Sequence, residues 1–393
     1  MHVDLTHPEF QAAIPILQKI EAAGFEAYFV GGCVRDALLG LPIHDVDIAT
    51  SAYPQEVKAI FRRTVDTGIQ HGTVMVLDHG TGYEVTTFRT ESTYQDFRRP
   101  DAVTFVRSLK EDQLRRDFTI NALAARHDGL IIDNFNGLAD LDAHLLRAVG
   151  NAQDRFHEDA LRMMRAVRFE SQLGFTLEAA TAQALADNAS LLQHIAVERI
   201  ATEFTRLLLG INRAAGLSSM LQAGLYTYCP LLVGHKAELS RLQALDSRQI
   251  KHEDVAWTLL TAVLGVKPVA FMKAWKQPND LTGTVDHAVK LLPALLTGTA
   301  DNLALFNAGA ASVSAAIGAA SYLQPGFAAA AWQARYQALP MHTAKDLALT
   351  GQMLLDAGMQ PGPQLGRALA QARTAVISGQ LPNDAAALLA AVK

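Results

Sequence analysis

Asp45 and Asp47 stand two residues apart in His44-Asp45-Val46-Asp47-Ile48. Alternate residues of an extended strand face the same side, roughly 7 Å apart along the backbone. The spacing therefore predicts a strand that presents both carboxylates together while Val46 and Ile48 enter a core. Two hard oxygen ligands on a rigid strand suit Mg2+. Glu84, in Tyr83-Glu84-Val85-Thr86-Thr87-Phe88-Arg89, follows the same alternation and is placed to supply a third acid, which makes a two-metal site feasible. Spaced aspartates at a strand start also serve as turn or capping residues. Here the context favours chemistry, because the pair follows Gly31-Gly32-Cys33-Val34-Arg35-Asp36 by nine residues. Two glycines let backbone amides approach a phosphate at a helix start, and Arg35 lies one turn in to bind it.

A second set lies in Asp154-Arg155-Phe156-His157-Glu158-Asp159-Ala160-Leu161-Arg162-Met163-Met164-Arg165-Ala166-Val167-Arg168-Phe169. The pattern predicts one helix, with Phe156, Ala160, Met164 and Val167 at core spacing. Asp159, Arg162, Arg165 and Arg168 then form a ladder spanning roughly 13 Å at ~1.5 Å per residue, comparable to a nucleotide with its triphosphate. A solvated face with an Asp159–Arg162 ion pair is the plainer reading, and three arginines with few acids among them fit it poorly. An aspartate accepts from an exocyclic amine and an arginine donates to a ring nitrogen or carbonyl, so together they match the Watson–Crick edges of adenine and cytosine. Uracil and guanine would turn a carbonyl oxygen toward the carboxylate, and a site built on hydrogen bonds rejects such mismatches strongly.

The strings Gly31 to Asp36 and His44-Asp45-Val46-Asp47-Ile48-Ala49-Thr50 resemble the nucleotidyltransferase superfamily, and in particular its class II branch, which holds CCA-adding tRNA nucleotidyltransferases and bacterial poly(A) polymerases. The resemblance is strong over roughly residues 25 to 210 and weak over the last fifty. It implies that Asp45 and Asp47 hold magnesium, with Glu84 beside them, and that an RNA 3′-hydroxyl attacks the α-phosphate in line as pyrophosphate leaves. It implies that Asp159 and Arg162 act as a protein template for CTP and ATP, with Arg165, Arg168, Gly32 and Arg35 also binding the nucleotide. Leu114-Arg115-Arg116-Asp117-Phe118-Thr119-Ile120-Asn121-Ala122-Leu123-Ala124 is similar to another family motif; there Arg116 would bind nucleotide, and Asp117 and Asn121 would lie near the sugar and phosphates. Asp133, Phe135, Gly137 and Asp140 resemble the following motif, assigned to coupling head and neck. Glu91-Ser92-Thr93-Tyr94-Gln95-Asp96-Phe97-Arg98-Arg99-Pro100 reads as a mobile loop and resembles the one implicated in the family's switch to adenosine addition.

These side chains need a scaffold, and the first third of the chain supplies one. Ala27 to Val30 reads as a short buried strand, Cys33 to Leu39 as a helix ended by Gly40, and Thr73 to Leu77 with Tyr83 to Phe88 as a hairpin. Glu9 to Ala23 reads as a covering helix interrupted by Pro15, Val103 to Val106 as a further strand, and Leu114 onward as another helix. From about Leu141 the pattern turns helical and rich in Ala and Leu, a domain boundary. Leu191 to Leu209 reads as a helix whose Glu198, Arg199 and Glu203 brace the base-reading helix. Gly362 to Arg367 is read either as a helix connection or as a contact to the tRNA backbone. The expected fold is α+β: a small mixed-sheet head (1–142), then an all-α neck (143–210), body (211–290) and tail (291–393).

The 393 residues are 50% apolar and 19% charged, with 34 Lys plus Arg against 39 Asp plus Glu, a net charge of -5. A nucleic-acid partner must therefore be held by a local basic stripe. Two cysteines, Cys33 and Cys229, are too few for a disulfide framework, and Met1-His2-Val3-Asp4 lacks an export pattern, so a reducing cytoplasm is expected. The uncharged stretch Asn302 to Ala334 is read as packed helices and not as a membrane span. The expected partners are tRNA, CTP and ATP, with no membrane, and a homodimer is allowed. The leading reading is CCA addition. The alternatives are a class II poly(A) polymerase, which usually carries a longer basic C-terminal extension, and an inactive RNA-binding relative, which would be expected to lack a metal carboxylate or the arginines.

Overall fold

The computed structural model describes residues 1–91 and 103–392; the segment expected to form the mobile loop, from Ser92 on, lies outside the described residues. The chain divides into two compact units, Met1–Val233 and Gly234–Lys393.

In the first unit the strands are β1 (Ala27–Val30), β2 (Asp47–Thr50), β3 (Thr64–Gly68), β4 (Thr73–Asp78), β5 (Thr81–Thr87), β6 (Arg89–Glu91), β7 (Val103–Phe105), β8 (Ala124–Ala125), β9 (Ile131–Ile132), β10 (Leu145–Leu146) and β11 (Thr176–Leu177), the last two pairing in parallel with each other. Seven of them make a mixed sheet in the order β3-β4-β5-β2-β1-β8-β9, in which only β2 and β5 run parallel to each other, and β6 pairs with β7 separately. The expected hairpin is β4–β5. Its two connecting residues, His79 (φ 47°) and Gly80 (φ 87°), both adopt positive φ, the geometry whose twist matches a tight hairpin.

One sheet face carries Phe29, Ile48, Val74, Val76 and Val85 into a core closed by the helix Pro8–Ala22, which buries Phe10, Ala13, Ile16, Leu17 and Ile20. Pro15 does not interrupt that helix. It sits on the exposed side, where the carbonyl left without its partner can turn to water while the buried stripe holds the helix together. The strand expected at Asp45 begins only at Asp47. The β1–β2 ladder ends at Val30 opposite Asp47, because the chain leaves β1 at Gly31 (φ 76°) and gives Asp45 no strand to pair with.

Helix content rises toward the end of this unit, and three expected helices differ from those observed. The 154–169 segment is two helices, Ala152–Glu158 and Leu161–Leu173. Asp159 turns extended between them (φ -137°, ψ 103°), and its Oδ1 accepts a hydrogen bond from the Leu161 N–H at 3.0 Å, opening the second helix as an aspartate commonly does. No helix starts at Leu114; one ends there (Leu109–Leu114). Beyond it the backbone pairs with residues 147–149, through Thr119 N–H to Arg147 C=O and Val149 N–H to Asp117 C=O, and coils only in the short 3-10 turn Thr119–Asn121. The 191–209 segment is a 3-10 turn, Ala189–His194, followed by the helix Val197–Leu208, parted where Ile195 turns extended and buries its side chain. The Leu161–Leu173 helix packs on Val197–Leu208 and on Arg213–Gln222. At the latter contact a Cβ on Gly216 would lie 2.5 Å from the Val167 carbonyl oxygen, so only glycine permits the approach.

The second unit is helical. Trp257, Phe271 and Trp275 form its aromatic centre, with Trp257 and Trp275 5.3 Å apart and fully buried. The uncharged stretch folds as Asn302–Ala308, Ala310–Leu323 and Ala329–Gln337. The first two bend by 110° at Gly309 (φ 77°), and no single helix among the described residues is long and apolar enough to cross a membrane.

Candidate active site

A cavity of about 620 Å³ opens in the first unit. Of the residues expected to hold metal or nucleotide, Gly32, Arg35, Asp45, Asp47, Arg116, Asp117, Asn121, Asp159, Arg162, Arg165 and Arg168 all line it, and Glu84 does not. Its walls carry eight arginines against five aspartates, the local basic surface that an acidic chain needs in order to hold a polyanion.

The acidic end is built by the sheet. Asp47 starts β2, and its Oδ2 lies 3.7 Å from where a Gly31 Cβ would sit, with Arg116 Nη1 at 3.2 Å from the same point. Gly31 (φ 76°) therefore brings the glycine turn, the carboxylate and a guanidinium together, where any other residue would be strained and would crowd Arg116. Ile48 pairs with Val85 across the parallel β2–β5 contact, so Glu84 lies one step earlier on the strand next to Asp47. The Asp47 carboxyl is held above the ordinary range, first by the loss of water around it, then by Asp45 and Glu84, with Arg116 opposing. Asp45 and Asp47 are nonetheless exposed toward the cavity. Among the described residues no three acidic, His or Cys side chains gather closely enough to form a metal cage. Mg2+ takes one or two carboxylates and completes its shell with water and substrate phosphates, a donor set that Asp45 and Asp47 could supply. A crowded pair of acids with one opposing cation also fits a site that a divalent ion would relieve.

The other end is a dense ionic network. Asp117 accepts from Arg165 Nε at 2.7 Å and, through its other oxygen, from Asn121 Nδ2 at 3.0 Å and the Phe118 N–H at 2.8 Å. Burial alone would raise its pKa, but Arg165, Asn121 and Arg162 outweigh that and hold the carboxyl well below the usual range. Arg35, expected on phosphate, spends its donors on Asp36 (2.7 Å) and on Asn121 Oδ1 (2.6 Å). Arg162 pairs with Glu158 at 2.7 Å and not with Asp159, and it donates to the Arg115 carbonyl at 2.6 Å. Asp159 instead accepts from Arg199 Nη2 at 2.9 Å. Glu203 braces the arginines as expected, 2.7 Å from Arg168 Nε. Burial draws the Arg168 guanidinium down to about 10, against the pull of Glu203. Asp133 accepts from the Gly137 and Leu138 N–H groups, and Asp140 takes Thr119 Oγ1 (2.7 Å) and Arg147 Nε (3.1 Å), tying the Asp117 segment to the start of the helical part.

The sequence gives Arg199 only a bracing role and does not single out Arg206 or Phe169, yet all three line the cavity. Arg199 and Arg206 lie seven apart on the Val197–Leu208 helix, two turns along one face, a spacing that marks them in retrospect.

Residues 27–147 match the model of the poly A polymerase head domain, residues 174–233 a probable RNA- and SrmB-binding site of polymerase A, and residues 248–392 a putative tRNA nucleotidyltransferase domain 2. The chain is 60% identical to the CCA-adding enzyme of Lacticaseibacillus paracasei over 99% of its own length and 97% of that protein's. The chain belongs to the CCA-adding enzyme family. It is 58% identical to the family member from Latilactobacillus sakei, with 98% of each chain covered. Among solved structures, the Bacillus stearothermophilus CCA-adding enzyme in complex with CTP is similar at TM-score 0.89 and 41% identity, over 98% of this chain and 97% of that one. This family is one of nucleotidyltransferases, in line with the α+β head and helical remainder expected from the sequence.

Proposed function

We propose that the protein completes tRNA by adding C, C and A to the 3′ end from CTP and ATP without a nucleic-acid template. The observation that carries this reading is that one cavity is walled both by Asp45 and Asp47 and by Asp159 and Arg162. A nucleotide bound there would have its base and its α-phosphate addressed by separate fixed groups, which is how positioning lowers the barrier to an in-line displacement.

In this reading Asp45 and Asp47 hold Mg2+, with Glu84 adding charge from the neighbouring strand. Mg2+ held by these carboxylates would supply Lewis-acid stabilisation of the phosphoryl oxygens and activation of the RNA hydroxyl. Asp159 accepts from the exocyclic amine of cytosine or adenine and Arg162 donates to the ring edge. To do so Asp159 shares or leaves Arg199, and Arg162 turns from Glu158. Arg165, Arg168, Arg116, Arg35 and Gly32 serve the triphosphate, and Asp117 with Asn121 holds Arg165 and Arg35 in place. We assign the chemistry to residues 1–142, base choice to 143–210, and tRNA binding to the body and tail (211–290 and 291–393), in the cytoplasm and with room for a homodimer. The test is to incubate protein and Mg2+ with a tRNA transcript lacking its 3′ end and all four nucleotides, then sequence the products. Ends that stop at C, C, A support the reading; long A tracts would reassign the chain to poly(A) synthesis, and no extension would leave an RNA-binding relative.

A further inference from the structure

Phe169 has no polar side-chain atom, yet it touches much of the charge in the cavity wall. Its ring is 4% exposed. The guanidinium carbon of Arg168 lies 3.7 Å from the ring centroid, that of Arg35 5.0 Å and that of Arg165 5.3 Å. The ring is held in turn by the fully buried Phe118, which meets it edge to face at 5.8 Å and 83°. Three cations from two elements, the Gly32–Leu38 and Leu161–Leu173 helices, thus converge on one aromatic group.

Each of these arginines already has an acid: Asp36 for Arg35, Asp117 for Arg165 and Glu203 for Arg168, with Glu203 also 3.9 Å from Arg165. A further carboxylate among them would relieve their mutual repulsion but would also repel an incoming triphosphate. An aromatic face attracts a cation through its quadrupole and carries no formal charge, and the attraction is largest where water is excluded. A leucine would fill similar space without that field.

We propose that Phe169 is a positioning residue for the triphosphate, its ring gathering Arg35, Arg165 and Arg168 into one cationic cluster without adding a negative charge. The inference rests on the reading that this cavity takes a nucleoside triphosphate. It separates from a purely space-filling role because ring charge can be varied at nearly constant shape.

The experiment replaces Phe169 with its mono-, di- and trifluorinated analogues, which withdraw charge from the ring face stepwise, and adds Phe169→Leu. CTP and ATP binding are titrated without tRNA, and KM, kcat and thermal unfolding are measured on the same proteins. The expected result is a stepwise loss of nucleotide affinity, reaching roughly 5- to 20-fold at three fluorines, matched by KM, with kcat within about twofold and an unchanged unfolding temperature. The Leu variant should resemble the trifluorinated one. Affinity that stays flat across the series while the parent binds nucleotide overturns the inference, as does a loss that tracks stability instead of fluorination. A parent that binds neither CTP nor ATP removes the function reading itself and this inference with it.

Discussion

The two ends of the cavity are built on opposite electrostatic plans. At the sheet end Asp45 and Glu84 both act against the negative charge of Asp47, and only Arg116 opposes them there. At the helical end almost every charge has an opposite partner within about 3 Å: Asp117 with Arg165, Glu203 with Arg168, Asp159 with Arg199 and Glu158 with Arg162. A region that must recognise by shape and hydrogen bond gains from being pre-ordered. A region that must hold a cation gains from being left short of one. The contrast suits the proposed division, with the catalytic ion at the sheet and selectivity at the helices, and that division can be tested at either end.

The largest effect is expected from Asp45→Ala. If Asp45 is one of two metal carboxylates, its loss removes several kcal/mol of transition-state stabilisation, roughly 10³-fold or more in the rate of nucleotide transfer. Binding of tRNA, measured by gel shift, should stay within about twofold, since the helical parts are untouched. Transfer that persists in this variant would break the assignment of the acidic end.

Asp117→Ala attacks the opposite plan. Arg165, the Asn121 amide and the Phe118 N–H would all lose a buried partner, and breaking a buried ion pair costs ~3 kcal/mol or more. The pH dependence has a definite sign. The folded carboxyl is held below its unfolded value of about 3.9, so its stabilisation is fully present above about pH 4 and is lost as pH falls further. Denaturant melts at pH 7 and pH 3 should therefore show a gap between parent and variant that narrows on acidification, and a constant gap would refute the ion-pair account.

Asp159→Ala should affect choice more than speed. With the acceptor gone, UTP and GTP are no longer opposed by a carboxylate, and the preference for CTP and ATP should fall by roughly 10²-fold in kcat/KM. Unchanged base choice would remove Asp159 from the template and shift the weight to Arg162 and its anchors, Glu158 and the Arg115 carbonyl.

The same contrast governs how much could be read from the residues alone. The β1 strand and the β4–β5 hairpin follow from short-range patterns, namely a run of apolar residues before glycine and two alternating segments around His79-Gly80, so they are legible locally. Most of the residues that meet in the cavity are also legible, since their types announce phosphate and base chemistry, whereas Arg206 and Phe169 are not. The pairings within the cavity are not legible either. Asp117 finds Arg165 forty-eight residues away and Asp159 finds Arg199 forty residues away, and helical spacing suggests nearer partners such as Asp159 with Arg162. The one-helix reading of 154–169 failed for a related reason: periodicity runs through Asp159, whereas its carboxylate turns back to cap Leu161. The segment after Leu114 looks helical until the 147–149 backbone is there to pair with it.

Asp47→Asn gives the smallest and most discriminating effect. The Asp47 carboxyl is raised in the folded chain, so the folded state binds its proton more tightly than the unfolded state does. For such a group stability is highest below the unfolded value and declines as pH rises through the folded one. A neutral isostere escapes that decline. Without divalent ions the variant should melt slightly higher than the parent at pH 7, by about 2 °C at most because the group faces solvent, and no higher at pH 3. Adding Mg2+ should stabilise the parent by binding its folded form and close or reverse the gap, since the variant has lost a ligand. An asparagine variant that is less stable than the parent, or one that responds to Mg2+ as strongly, would show that the acids at the sheet end are balanced within the protein and are not waiting for an ion.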